Sequence, residues 1–240
     1  MKNIAHLTCT IVFDNRAFQP GLETSWGFAC VIKGAKKTIL FDTGGDSAIL
    51  LKNMETLSID PATIDLVVIS HKDDDHAGGL SGFIAQRGAL PIYLPFSFPK
   101  KQKQDLEQSG CQVTSVQQPM EIIEGVWSLG EMKGIRNEHS LVVETASGPV
   151  LMTGCAHPGI VSIAQAANDQ FGKGLALVLG GFHLRHKDER EIRQTITTLK
   201  TLGIRKIAPS HCTGDQAISL FVEIFGEACL PSGVGAVFHV

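Results

Sequence analysis

Indole and phenol are almost missing from this chain: two Trp and one Tyr stand among 240 residues. So few flat, polar-edged rings argue against a surface that stacks nucleic-acid bases. Excess positive charge is missing too. The formal net charge is -3 and the pI about 6.3, which leaves no basic face for a phosphate backbone. No uninterrupted apolar run is long enough to span a bilayer. The opening residues, Met1 to His6, show no long apolar stretch before a small-residue cleavage site. These absences lead to the expectation of a soluble cytoplasmic protein with no nucleic-acid or membrane partner. No two of the six cysteines form a C-x-x-C pair, and no Pro- or Ser-rich linker divides the chain. With 43% hydrophobic residues, 1–240 reads as one domain with a full core.

What is present is an alternation of short apolar runs and turn signals. Strands are expected at 4–13, 27–33, 37–41, 64–69, 90–94, 112–116, 126–129, 140–146, 149–153, 175–179, 205–208 and 234–239. Helices are expected at 47–55, 80–87, 99–109, 159–169, 188–202 and 214–225. The segment 188–202 opens on Asp188-Glu189, spaces Ile192, Ile196, Leu199 and Leu202 helically, and stops at Gly203. Strand–helix alternation in both halves fits two sheets with helices outside them better than one doubly wound sheet.

The densest chemistry follows the apolar run Leu66-Val67-Val68-Ile69. It reads His71-Lys72-Asp73-Asp74-Asp75-His76, then Ala77 and the pair Gly78-Gly79. Three adjacent carboxylates repel one another, and only Lys72 offsets them locally. A bound cation would turn that repulsion into attraction. In an extended or turning segment alternate residues share a side, so His71 and Asp73 can grip one ion. Asp75 and His76 can face another. A solvated acidic loop is the plain alternative. A buried-type strand leading in and a glycine pair leading out count against it.

Further histidines stand at strand ends. His157 follows Val150-Leu151-Met152-Thr153-Gly154-Cys155-Ala156, His183 follows Gly180-Gly181-Phe182, and His211 follows Ile207-Ala208-Pro209-Ser210. Strand ends are where α/β proteins collect their chemistry. Asp42, ending Ile39-Leu40-Phe41, is either a turn-forming residue or a partner that orients a ligand imidazole. Cys155 and Cys212 adjoin this set. Either can be a ligand, although with no second thiol spaced to complete a thiolate site the sequence favours packing. His6, His139, His186 and His239 have weaker claims, and His139 is the one placed to line a cleft.

Asp42, the His71-to-His76 cluster, His157 and His211 occur in an order that resembles the metallo-β-lactamase-fold hydrolases. Phe41-Asp42-Thr43-Gly44, Thr153-Gly154-Cys155-Ala156-His157-Pro158-Gly159, Gly180-Gly181-Phe182-His183 and His211-Cys212-Thr213-Gly214 look like its dihydropterin–ribofuranosylaminobenzene phosphate synthase-like branch, some of whose members are regarded as phosphodiesterases. The resemblance implies an αββα sandwich, two mixed sheets flanked by helices, with a metal site at one edge. It assigns His71, Asp73 and His157 to a first ion and Asp75, His76 and His211 to a second, with Asp42 behind them. The chain departs from the pattern at Asp73, where the superfamily has a second His, and at Trp26, where the branch usually has one. The superfamily also supplies a bridging Asp on a later strand. None lies in 175–181, and His183 is the nearest candidate for that region.

By this resemblance the protein is a metal-dependent hydrolase with two divalent ions (Zn, Mn or Fe) sharing a hydroxide. The substrate is a small phosphoester or phosphodiester. Asp75 can handle a proton, and His183 can bind or protonate the leaving group. Lys72, Arg185 and Lys187 are the cations that could meet a phosphate. Two other readings stay open: a di-iron oxidoreductase-like protein on the same fold, and a metal-binding sensor without turnover.

Overall fold

The apolar runs pair into two sheets whose strands carry buried side chains on both faces. The computed structural model describes residues 4–172 and 174–240. One sheet is built from β1 (Thr8–Asp14), β2 (Phe28–Lys33), β3 (Ile39–Phe41), β4 (Leu66–Val68), β5 (Pro91–Pro95) and β6 (Gln112–Val116). The other is built from β7 (Met120–Ile123), β8 (Val126–Ser128), β9 (Leu141–Val143), β10 (Val150–Thr153), β11 (Leu177–Gly181) and β12 (Ile207–Ser210). The last strand, β13 (Val237–His239), returns to the first sheet beside β1, giving the order β13-β1-β2-β3-β4-β5-β6. The second sheet runs β12-β11-β10-β9-β8-β7.

Each sheet joins an antiparallel part to a parallel part. β3 to β6 are parallel, as are β10 to β12. Parallel neighbours need crossovers, and helices supply them. The first sheet uses α1 (Ser47–Thr56), α3 (Leu80–Arg87) and α4 (Lys100–Gln108). The second uses α5 (Ile160–Phe171) and α6 (Glu189–Thr201), and α7 (Asp215–Phe225) follows its last strand. A single turn, α2 (Asp74–Ala77), sits in the acidic cluster.

Side-chain alternation sorts the core into layers. Along β2, Phe28, Cys30 and Ile32 point between the sheets, where they meet Val143, Met152 and Leu179. Ala29 and Val31 point the other way, onto Leu50, Phe83 and Leu106 of the helices. On the far side, Val142, Leu151 and Val178 face Ile163, Ile196 and Phe221. Three apolar layers therefore separate four layers of structure, the αββα arrangement expected. No helix of the described residues is long and apolar enough to cross a membrane.

The six expected helices and twelve expected strands are all present, with ends shifted by a few residues. Besides three short 3-10 turns, one strand and one α-helical turn among the described residues were not expected. β7 pairs with β8 across the tight turn at Glu124-Gly125, but Met-Glu-Ile-Ile is too short to show alternation. α2 is one turn of Asp-Asp-His-Ala and has no apolar period to reveal it.

Candidate metal centre

The parallel strands deliver their C-terminal ends to one edge of the sandwich. β3 hands on Asp42, β4 hands on Ser70 and His71, and β10, β11 and β12 hand on Cys155 and His157, His183, and His211. The parallel register aligns Thr153 with Gly180 and Gly181 with Ser210, so the last three strands stop level with one another. The backbone turns sharply there. Of the five non-glycine residues with positive φ among the described residues, Asp42 (59°), Ala156 (59°), His183 (51°) and His211 (49°) lie at this edge, and Ser58 alone lies elsewhere. Such conformations cost about 1–3 kcal/mol each and persist where surrounding contacts fix them. Glycine is needed at Gly154, where a Cβ would strike the Ser70 hydroxyl, and at Gly78, where it would come within 2.7 Å of the Gly45 carbonyl.

Five imidazoles meet at this edge, and four of them have Nδ1 tied back. His76 Nδ1–H donates to Asp42 Oδ2 at 2.7 Å, and His157 Nδ1–H donates to Glu138 Oε2 at 3.0 Å. His211 Nδ1 is 2.9 Å from Asn15 Oδ1. The Ser70 hydroxyl gives its hydrogen to Asp42 Oδ2 at 2.8 Å, and so accepts from His71 Nδ1–H at 2.9 Å. These outer bonds select one tautomer and leave each Nε2 as a bare lone pair.

The bare nitrogens face one another and the carboxylates. His76 Nε2 lies 3.2 Å from His211 Nε2, 3.2 Å from Cys155 Sγ and 3.7 Å from Asp75 Oδ2. His211 Nε2 lies 3.2 Å from Asp75 Oδ2. The His71 ring packs 4.2 Å from that of His76 and 4.7 Å from that of His157. His71 Nε2 is fully buried with no hydrogen-bond partner, and Asp73 Oδ2 is 3.8 Å away. Burial, together with the neighbouring imidazoles, pushes His71 down to about 4 and His76 to about 3, so neither is charged at neutral pH. Burial would raise the Asp75 carboxyl, but the adjacent His211 and His76 imidazoles outweigh it and hold it well below its usual range.

An orphaned buried nitrogen, two lone pairs at 3.2 Å and a converging carboxylate fit a divalent cation. Donor atoms within 4.8 Å of one another form four overlapping sets: Asp75, His76, Cys155 and His211; His71, Cys155 and His157; His71, Asp73 and Asp75; and Cys155, His183 and Cys212. All six residues expected as ligands fall in these sets. Asp73 has only one oxygen free, because Arg136 Nε holds Oδ1 at 3.0 Å. Asp42 stands behind His76 and also accepts from Ser70 N–H at 2.7 Å. Burial pushes its carboxyl up to about 7.

The sequence does not mark Glu138 as a participant, and it allows Cys155 as a ligand but favours packing. Glu138 is buried and caps the turn after β10. Its Oε1 accepts from the N–H groups of Gly154, Cys155 and Ala156 at 2.9–3.1 Å, and its Oε2 accepts from His157 N–H at 3.0 Å. Burial alone would raise this carboxyl. The His157 bonds and the adjacent His71 imidazole hold it well below the usual range instead. Glu138 lies outside the named strands, so no periodic pattern marks it. Cys155, favoured as packing, has its Sγ inside the donor cluster. His139 is also displaced from expectation. It is buried between Ser128 Oγ (2.7 Å) and the Ile69 carbonyl (2.8 Å) and does not line the cleft.

The mouth of the site is a cavity of about 270 Å³ whose walls include Trp26, Ile135, His183 and Arg185. Trp26, 41% exposed, packs 4.8 Å from the His211 ring, and the Arg185 guanidinium lies over the indole at 4.9 Å. The His183 ring is 4.6 Å from that of His157, and its Nδ1 is buried without a partner. Larger hollows of about 670 Å³ beside α1 and about 590 Å³ beside β13 gather no such donors.

The family model of the metallo-beta-lactamase superfamily matches residues 27–211, a span from the turn beside Trp26 to the last imidazole. The chain is 31% identical, over 91% of its length and 91% of the relative's, to 7,8-dihydropterin-6-methyl-4-(beta-D-ribofuranosyl)-aminobenzene-5'-phosphate synthase of Methanocaldococcus jannaschii. It is 26% identical to Tm1679, whose crystal structure is described as a metal-dependent hydrolase of the beta-lactamase superfamily. That likeness covers 98% of this chain and 99% of the other at a TM-score of 0.82. The metallo-beta-lactamase fold protein YhfI of Bacillus subtilis, 14% identical, superposes at a TM-score of 0.73 over 98% and 100% of the two chains. That likeness shows the fold alone.

Proposed function

Because the chain belongs to the metallo-beta-lactamase superfamily, we propose that it is a metal-dependent hydrolase of a small phosphoester or phosphodiester. The observation that carries the substrate class is Arg185. Its guanidinium is stacked on Trp26 at the cavity mouth, and no carboxylate among the described residues pairs with it. A planar cation held this way, beside His211, suits a phosphoryl oxygen pair. Two names support the reading. The 31% identical relative is named for a 5'-phosphate, and the 26% identical structure is described as a metal-dependent hydrolase.

In this reading His71, Asp73 and His157 hold one ion and Asp75, His76 and His211 hold the other. Zinc, manganese or iron bound there would supply Lewis acidity and an acidified water at neutral pH. The protein's own groups do the rest. Asp42, Asn15 and Glu138 fix the imidazoles. Arg185 orients the phosphoryl group, with Trp26 and Ile135 shielding it from water. Asp75 Oδ2 is placed to take a proton, and His183 is placed to give one to the leaving oxygen. The six cysteines form no disulfide among the described residues, which suits a reducing, cytoplasmic location.

A second reading, a synthase acting on a similar phosphorylated molecule, is favoured by the name of the 31% identical relative. Product analysis separates the two. The metal-loaded protein is incubated with a panel of phosphomonoesters and phosphodiesters in water enriched in heavy oxygen. Hydrolysis puts that oxygen into the phosphate product. Condensed products without the label would support the synthase, and no reaction across the panel would sink the phosphoester proposal.

A further inference from the structure

Cys155 is where the two halves of the metal centre overlap. Its Sγ lies within 4.8 Å of the donor atoms of Asp75, His76 and His211 and also of those of His71 and His157. The set of His71, Asp73 and Asp75 also crosses between the halves, but only Cys155 joins both groups of imidazoles. The sulfur is 3.2 Å from His76 Nε2, a nitrogen whose lone pair is bare. The buried, unpartnered Nε2 of His71 is the second sign that something is held here.

Packing does not explain this thiol. Cys9 and Cys30 lie in the apolar layer between the sheets, Cys111 lies under the first helical layer, and Cys229 lies under the second. Cys155 belongs to none of these layers. Cys212 lies outside them too, but its thiol points to a backbone acceptor, the Cys155 carbonyl at 3.6 Å, whereas the Cys155 thiol faces the imidazole nitrogen of His76. The backbone around Cys155 is held in place. Gly154, Cys155 and Ala156 all donate N–H to one oxygen of the buried Glu138, and Ala156 turns the chain with φ at 59°. Anchoring of this kind fixes a ligand before the metal arrives.

Resting on the metal-dependent reading, we propose that Cys155 is a thiolate ligand bridging the two ions. It would stand where a bridging carboxylate from β11 is lacking: Leu177–Gly181 carries none. On binding, the S–H bond breaks, the sulfur keeps the electron pair and donates it to the metals, and the proton leaves to buffer. A sulfur donor softens a centre that Asp73 hardens, which favours zinc or iron over manganese.

The test is spectroscopic and needs no substrate. The full chain is reconstituted with zinc and measured by X-ray absorption. A parallel sample carries cobalt(II). The wild type should show a zinc–sulfur shell at about 2.3 Å beside nitrogen and oxygen at about 2.0–2.2 Å. The cobalt form should show a sulfur-to-metal charge-transfer band in the near ultraviolet. Cys155→Ser should lose both signals, and Cys212→Ser should keep them. A wild-type shell of nitrogen and oxygen alone overturns the proposal and leaves the metal-dependent reading standing. A sulfur shell that survives in Cys155→Ser, or vanishes in Cys212→Ser, also overturns it. If Cys155→Ser fails to fold, the wild-type and Cys212→Ser spectra decide. A protein that takes up neither ion refutes the metal-dependent reading and this inference together.

Discussion

His76 and His211 present their Nε2 atoms to each other at 3.2 Å, while Asp42 and Asn15 hold their Nδ1 atoms from behind. Two lone pairs at that separation repel, and Asp75 brings a third donor, 3.2 Å from His211. A cation between them converts the repulsion into binding energy. The metal-free protein should therefore be markedly less stable than the loaded one. At free metal a thousandfold above Kd the gain is about 4 kcal/mol per site. In a domain of this size each kcal/mol moves the melting temperature by roughly 2–4 °C. Calorimetry before and after chelation, with elemental analysis of the loaded sample, should show more than one ion per chain and a lower melting temperature without them. An unchanged melting temperature would mean that the imidazoles hold no metal.

Asp42 should control affinity without touching the ion. It accepts from three donors at once: His76 Nδ1–H, Ser70 N–H and the Ser70 hydroxyl. In Asp42→Asn an amide NH₂ must face either Ser70 N–H or the pair of Ser70 hydroxyl and His76 Nδ1–H, so either the turn that carries His71 or the orientation of His76 is disturbed. Loss of such a partner typically costs 10–100-fold in metal affinity. Titration calorimetry should find that loss. Equal affinity in the variant would reduce Asp42 to a turn residue.

The sequence disclosed the fold because the core is periodic. β2 alternates between two apolar layers, and α6 repeats Ile192, Ile196 and Leu199 on its buried side, so both stood out as patterns. His71, His76, His157 and His211 were legible because each follows such a strand and because three adjacent carboxylates need a reason. Glu138 was not legible. Its work is done through backbone N–H groups sixteen to nineteen positions further along, and only the fold brings that turn to it. Cys155 was visible but ambiguous, because a thiol at a strand end reads equally as filler until its neighbours are known.

Asp73 carries the chain's departure from the family pattern, and Arg136 competes for it. Arg136 Nε takes Oδ1 at 3.0 Å, and Oδ2 faces His71 Nε2 at 3.8 Å. An oxygen donor at this position favours harder ions than an imidazole does. In Asp73→His, activity reconstituted with zinc should rise relative to activity with manganese. Arg136→Ala should change stability by less than about 1 kcal/mol, since the pair is partly exposed. A metal profile unaltered by Asp73→His would mean that the carboxylate serves Arg136 alone.

Arg185 should affect substrate binding more than turnover. The phosphoryl oxygens it would meet already carry charge in the bound substrate, so the contact is made largely alike in the ground and transition states, and its loss raises KM more than it lowers kcat. A charge-assisted hydrogen bond is worth about 1.5–3 kcal/mol, which is roughly 10–150-fold in KM for Arg185→Ala. Lysine cannot reproduce the flat, bidentate fork, and Arg185→Lys should recover only part of the loss. Steady-state kinetics on a hydrolysed phosphoester would test this, and a KM unchanged in Arg185→Ala would remove Arg185 from the substrate site.

His139 should set part of the acid limit of the fold. It is fully buried, accepting from the Ser128 hydroxyl at 2.7 Å and donating Nε2–H to the Ile69 carbonyl at 2.8 Å. Burial pushes its imidazole down to about 4, against the pull of the Ile69 carbonyl and the charge of Glu138. An unfolded histidine titrates near pH 6.5. Below that pH the unfolded chain takes up a proton that the folded chain refuses, so stability falls as pH drops from 6.5 toward 4. Above pH 6.5 the contribution of His139 is complete. His139→Gln lacks the titration and loses part of the hydrogen bonding, at a cost of about 1–3 kcal/mol at pH 7.5. The gap between wild type and variant should therefore narrow between pH 6.5 and 4. Urea unfolding of both proteins, kept metal-free so that ligand protonation is shared, measures that gap. A gap that stays constant over this range would show that His139 is protonated in the folded protein as readily as in the unfolded one.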